Sequence, residues 1–78
     1  MNNRLKIIMS NLFDIPVDDI NNNISPENCE QWDSLQHMNL IFAIEEEFGV
    51  SLTDDDVLKI KDFKSIIHIL ENFISHDN

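Results

Sequence analysis

Apolar residues recur along this chain at helical intervals, and strand-like alternation appears nowhere. Leu5, Ile8, Met9 and Leu12 follow the i, i+3, i+4, i+7 spacing, while Arg4, Lys6 and Asn11 face water, so residues 2–13 are predicted to be a first helix. Asp14-Ile15-Pro16 should end it, because a proline pushes the preceding residue out of the helical region. From Pro16 to Trp32 no period is sustained. Asn21-Asn22-Asn23, Ser25-Pro26 and Asn28 are turn formers, which predicts a long ordered loop anchored by Ile15, Ile20 and Ile24. Seventeen residues without regular structure are uncommon in a compact domain and tend to serve function.

The stretch WDSLQHMNLIFAIEEEFG then predicts a second helix from Ser34 to Phe48, with Gly49 as its stop. At about 100° per residue, Leu40, Ile41, Ile44 and Phe48 share one arc roughly 100° wide, with His37 inside it. That arc is a sufficient core face. Leu35, Met38 and Phe42 fall on a second arc, more than about 100° around the helix. The bland account buries Met38 and Phe42, with Ile24 or Trp32 folded over Phe42. The sharper one leaves the second arc for a partner, because exposed apolar stripes are rarely idle.

Val50-Ser51-Leu52 is a short link. Thr53 looks like an N-cap, and Asp54, Asp55 and Asp56 suit the positive end of a short third helix with Val57 and Ile60 turned inward. Asp62 should cap a fourth helix whose stripe is Phe63, Ile66, Ile67, Leu70 and Ile74. The expected fold is all-α, a small four-helix bundle of three longer helices and one short third helix, forming a single domain over residues 1–78.

Length and charge narrow the function. A chain of 78 residues buries roughly 60% of its unfolded surface, too little for a core plus an enclosed substrate cavity. Fifteen acidic residues against five basic ones give a formal charge of −10. Nucleic acids and anionic membranes are therefore poor partners, and basic protein surfaces good ones. Cys29 is the single cysteine and reads as an inert loop thiol. No apolar run is long enough to span a membrane and no signal-peptide core opens the chain, so a soluble, cytoplasmic monomer is expected.

The chemical candidates are few. Either Asp33 or Ser34 can cap the second helix, and because they are adjacent, one cap leaves the other free. Serine catalysis would need His37 as a base, yet no glycine-rich elbow or oxyanion loop surrounds Ser34. Asp19, Asn21, Asn23 and Glu30 match positions of a calcium-binding loop, but Ile24 stands where its turn glycine belongs. Glu45, Glu46 and Glu47, like the three aspartates, read as solvated faces or as a steering surface. His68 and His76 lack a ligand-spaced partner and read as structural or solvated.

DSL opening a helix, with EEEFG closing it in an acidic four-helix chain, resembles the acyl carrier protein family over nearly the whole length. The resemblance implies a carrier, not an enzyme. Its modified serine corresponds to Ser34, flanked by Asp33, which would take a covalent 4′-phosphopantetheine arm from coenzyme A through a separate phosphopantetheinyl transferase. The arm's thiol would hold an acyl or aminoacyl thioester for a loading enzyme and a downstream acyltransferase or synthase. Leu35, Met38 and Phe42 would form the apolar docking surface, with Glu45, Glu46, Asp54, Asp55 and Asp56 steering basic partners. Two departures stand out. Glu30-Gln31-Trp32 replaces the family's glycine and leucine before Asp-Ser, and Gln36 and Asn39 are neutral where fatty-acid members carry early acids. In these respects WDSLQHMNLI resembles stand-alone carriers dedicated to one pathway. The alternative from another class is an unmodified acidic adaptor that binds a basic protein through the second helix.

Overall fold

The computed structural model describes residues 2–75, with side chains through residue 73. They form four helices, α1 (Asn2–Phe13), α2 (Ser34–Phe48), α3 (Asp54–Lys59) and α4 (Phe63–Ser75), with a single 3-10 turn (Val17–Asp19) inside the long loop. No strand occurs among the described residues. Ile74 lies on the predicted α4 stripe, but its side chain, like His76, is outside the described set.

α1 and α2 run antiparallel, and polar contacts lock both ends of the pair. At one end Arg4 reaches across to Glu47, pairing with its carboxylate at 2.8 Å and donating to its carbonyl at 2.8 Å. The same guanidinium lies 4.7 Å from the centre of the Phe48 ring. At the other end Gln36 Nε2 donates to the Leu12 carbonyl at 2.8 Å, satisfying one of the acceptors that a helix C-terminus leaves open.

The ends of α1 and α2 use the same device. Asp14 adopts the left-handed conformation (φ 56°), and the Ile15 amide bonds the Ser10 carbonyl, closing a Schellman turn. An aspartate tolerates this conformation better than most residues. Proline alone therefore does not stop α1; the turn at Asp14 does so two residues earlier. Gly49 (φ 65°) and the Val50 amide on the Glu45 carbonyl repeat the motif after α2. Thr53 and Asp56 form a full capping box on α3, while the Glu45 carboxylate holds the Leu52 amide at 2.8 Å. Asp62 caps α4 by accepting from the Ser65 amide at 2.8 Å, as its position predicts.

The core joins Leu5, Met9 and Phe13 of α1, Leu40, Ile41 and Ile44 of α2, Ile60, and Phe63, Ile66, Ile69 and Leu70 of α4. The loop contributes as much as a helix does. Ile20, Ile24, Cys29 and Trp32 are buried, and the Ile24 carbonyl accepts from the Phe63 amide at the start of α4. Cys29, expected as an inert loop thiol, is a free thiol in the loop whose side chain is buried in the core. Phe13 and Ile69 also join the core unforeseen, whereas Ile8, Leu12, Phe48, Val57 and Ile67 are only partly buried against it.

Trp32 is the keystone of the loop. It is 2% exposed, stacks on Phe13 with ring centres 5.5 Å apart, and lies 6.1 Å from the His37 ring at a shallow angle. Its Nε1–H donates to His37 Nδ1 at 3.0 Å. One side chain therefore ties the end of α1 and the loop to the first turn of α2.

The two arcs of α2 separate as the periodicity requires. Leu40 and Ile44 are fully covered, while Leu35, Met38 and Phe42 are 71%, 43% and 59% exposed. Neither Ile24 nor Trp32 covers Phe42. Leu40→Ala should accordingly cost about 2–5 kcal/mol in chemical denaturation, and Met38→Ala within about 0.5 kcal/mol of none. Because like charges dominate, the thermal midpoint should rise with added salt; a midpoint flat in ionic strength would remove repulsion from the account.

Candidate functional site

Asp33 and Ser34 divide the start of α2 between them. Asp33 has extended backbone (φ −93°, ψ −174°) and its Oδ1 accepts from the Gln36 amide at 2.9 Å, so the aspartate is the cap. Ser34 is the first helical residue and is exposed. Its hydroxyl is thereby released from the capping task and set at a helix N-terminus, whose unpaired N–H groups and dipole favour an anion.

His37 is not poised as a general base for that serine. Its Nδ1 is occupied by the Trp32 indole, and its hydrogen-bond partner is that indole rather than an orienting carboxylate. His68 is exposed on α4.

The loop has no calcium geometry. Asn21 Oδ1 accepts from the Asn23 amide, Asn28 Nδ2 donates to the Asn23 carbonyl, and Asn28 Oδ1 accepts from the Ser25 amide. These side chains are spent on turns, and no group of three or more His, Cys, Asp or Glu able to hold a metal occurs among the described residues.

Of the acids expected to steer partners, Glu46, Asp54 and Asp55 are exposed. Glu45 and Asp56 are half-buried and already engaged, one on the Leu52 amide and the other on the Thr53 amide at 3.1 Å. Their first task is to shape the α2–α3 connection. Gln36 and Asn39 are also committed inward, Gln36 to α1 and Asn39 Nδ2 to Gln36 Oε1 at 2.9 Å.

Two features of the site were not foreseen. Leu58, on α3, is 78% exposed and adds an apolar position outside α2; it sits about 100° from Val57, so the inward placing of Val57 already implied it. The second is a groove of about 510 Å³ beside Ser34, lined by Pro26, Trp32, Asp33, Ser34, His37 and Met38. Its walls come from the loop and from α2, and no helical period brings those together. An exposed serine on a helix start, next to an open and largely apolar groove, fits the attachment of a long phosphodiester-linked group. No described helix is long and apolar enough to cross a membrane.

Comparison with known proteins agrees with this geometry. Residues 3–70 match a family model described as a phosphopantetheine attachment site. The acyl carrier protein of Buchnera aphidicola (subspecies Schizaphis graminum) is 37% identical over 75 residues, covering 92% of this chain and 95% of that protein. An acyl carrier protein homolog of Ureaplasma parvum is 34% identical over 70 residues, covering 90% and 87% respectively. The acyl carrier protein of Nitratidesulfovibrio vulgaris is 50% identical over 40 residues, about half of each chain (51% and 53%). With a capped helix start, a four-helix bundle and matches spanning nearly all of its length, the chain belongs to the acyl carrier protein family, non-catalytic carriers that bear a covalently attached 4′-phosphopantetheine.

Proposed function

We propose that Ser34 is the attachment residue and that this single carrier domain presents an acyl or aminoacyl thioester to the enzymes of one dedicated pathway. The observation that carries the reading is that Asp33 takes the cap and leaves Ser34 exposed on the first turn of α2. When bound, the arm supplies a thiol that holds the cargo as a thioester. A phosphopantetheinyl transferase would join the Ser34 oxygen to the phosphorus nearer the pantetheine of coenzyme A. The pyrophosphate bond breaks, adenosine 3′,5′-bisphosphate leaves, and the serine proton passes to a base on the transferase.

The remaining surface supports docking rather than chemistry. Leu35, Met38 and Phe42 offer an exposed apolar stripe on the helix that begins at Ser34. Glu46, Asp54 and Asp55 supply free negative charge, and Glu45 and Asp56 add to the field from their engaged positions, which steers basic partners such as the transferase, a loading enzyme and a downstream acyltransferase or synthase. The neutral, inward-committed Gln36 and Asn39 leave the surface next to Ser34 weakly charged. That supports a carrier with its own partners over one serving general fatty-acid synthesis.

The same stripe would also serve an unmodified adaptor, and one experiment separates the two. Incubated with coenzyme A, magnesium and a broad-specificity phosphopantetheinyl transferase, the protein should gain the mass of one phosphopantetheine, and Ser34→Ala should gain none. A chain that stays unmodified while a control carrier is converted would favour the adaptor.

A further inference from the structure

We propose that the groove between the loop and α2 receives the proximal, pantoyl half of an arm attached at Ser34, so that the arm leaves the protein along a defined track instead of swinging free from its anchor. This rests on the carrier reading above and adds a binding site to it. The groove's volume, about 510 Å³, lies within the roughly 300–1,000 Å³ usual for small-molecule sites. Ser34 is itself one of the lining residues, so a group attached there reaches the groove at the high effective concentration of a short tether.

The lining suits the chemistry of the arm. Pro26, Trp32 and Met38 are apolar and suit the two methyl groups that follow the phosphate in the pantoyl unit. His37 supplies the next requirement. Its Nδ1 is taken up by the Trp32 indole, which leaves Nε2 as the ring nitrogen open to the polar hydroxyl and amide groups that follow those methyls. The wall is also set before anything binds. Trp32 is 2% exposed, stacked on Phe13 and bonded to His37, so little side-chain ordering remains to oppose binding. Met38, 43% exposed, lines the groove and also belongs to the exposed apolar stripe of α2. A docking enzyme that contacts Met38 would thus touch both the stripe and the groove's edge, and could draw the arm out as it binds.

The test is an NMR measurement on protein loaded with a pantetheine arm carrying ¹³C in its pantoyl methyls, with intact mass read first on the same sample. The single tryptophan makes the indole resonances unambiguous. The expected result is a full mass gain with nuclear Overhauser contacts from the pantoyl methyls to the Trp32 indole and the Met38 methyl, and a shifted Trp32 Nε1–H relative to the unloaded protein. A full mass gain with no such contacts and an unmoved indole overturns the groove and leaves the carrier reading standing. No mass gain overturns the carrier reading, and the groove falls with it.

Discussion

The seating of Trp32, stacked on Phe13 and hydrogen-bonded through its indole N–H to His37, is the interaction on which the rest of this fold depends. A bundle this small has little core to spare, and its longest connection is a loop that cannot satisfy itself by regular hydrogen bonding. Trp32 solves both difficulties with one side chain. Its ring buries against the end of α1, and its indole N–H finds an acceptor on α2. The loop is then closed from its other side by Ile20 and Ile24, and by the Ile24 carbonyl on the first amide of α4. With the loop fixed at both points, Asp33 arrives where its carboxylate can cap α2, and Ser34 follows, exposed.

From that arrangement comes the division of α2 into a structural side and a free side. Leu40, Ile41 and Ile44 are committed to the core, Glu45 to the α2–α3 connection and Gln36 to the end of α1. What remains outward is Ser34, then Leu35, Met38 and Phe42, then Glu46. A carrier needs this separation, because its surface must meet several partners in turn without disturbing the bundle behind it. On the proposed reading the apolar stripe would carry contact area, while the exposed acids would act at longer range and be screened by salt.

The helices and the two arcs of α2 were legible in the sequence because a regular helix converts spacing directly into direction. The caps at Thr53 and Asp62 and the stop at Gly49 were legible for the same local reason. The loop was not. Trp32 acquires its role only from Phe13 and His37, and no periodic rule relates those three positions. His37 was placed on the core arc by angle alone, and its hydrogen bond to the indole requires the fold. α4 shows the limit of periodicity from the other side. Ile66, Ile67, Ile69 and Leu70 crowd its surface with apolar residues, so the stripe can be drawn through Ile67, whereas the packed helix buries Ile69. Glu45 and Asp56 read as surface charge because their acceptors' partners, the Leu52 and Thr53 amides, exist only once the α2–α3 connection has turned.

The central claim is that a residue outside every helix holds the bundle together and sets Ser34 on the first turn of α2. The most direct measurement is the unfolding free energy of Trp32→Ala by chemical denaturation. The account predicts a loss of about 3–5 kcal/mol, the range of a large aromatic removed from a core. A loss below about 1 kcal/mol, as for a surface residue, would contradict it.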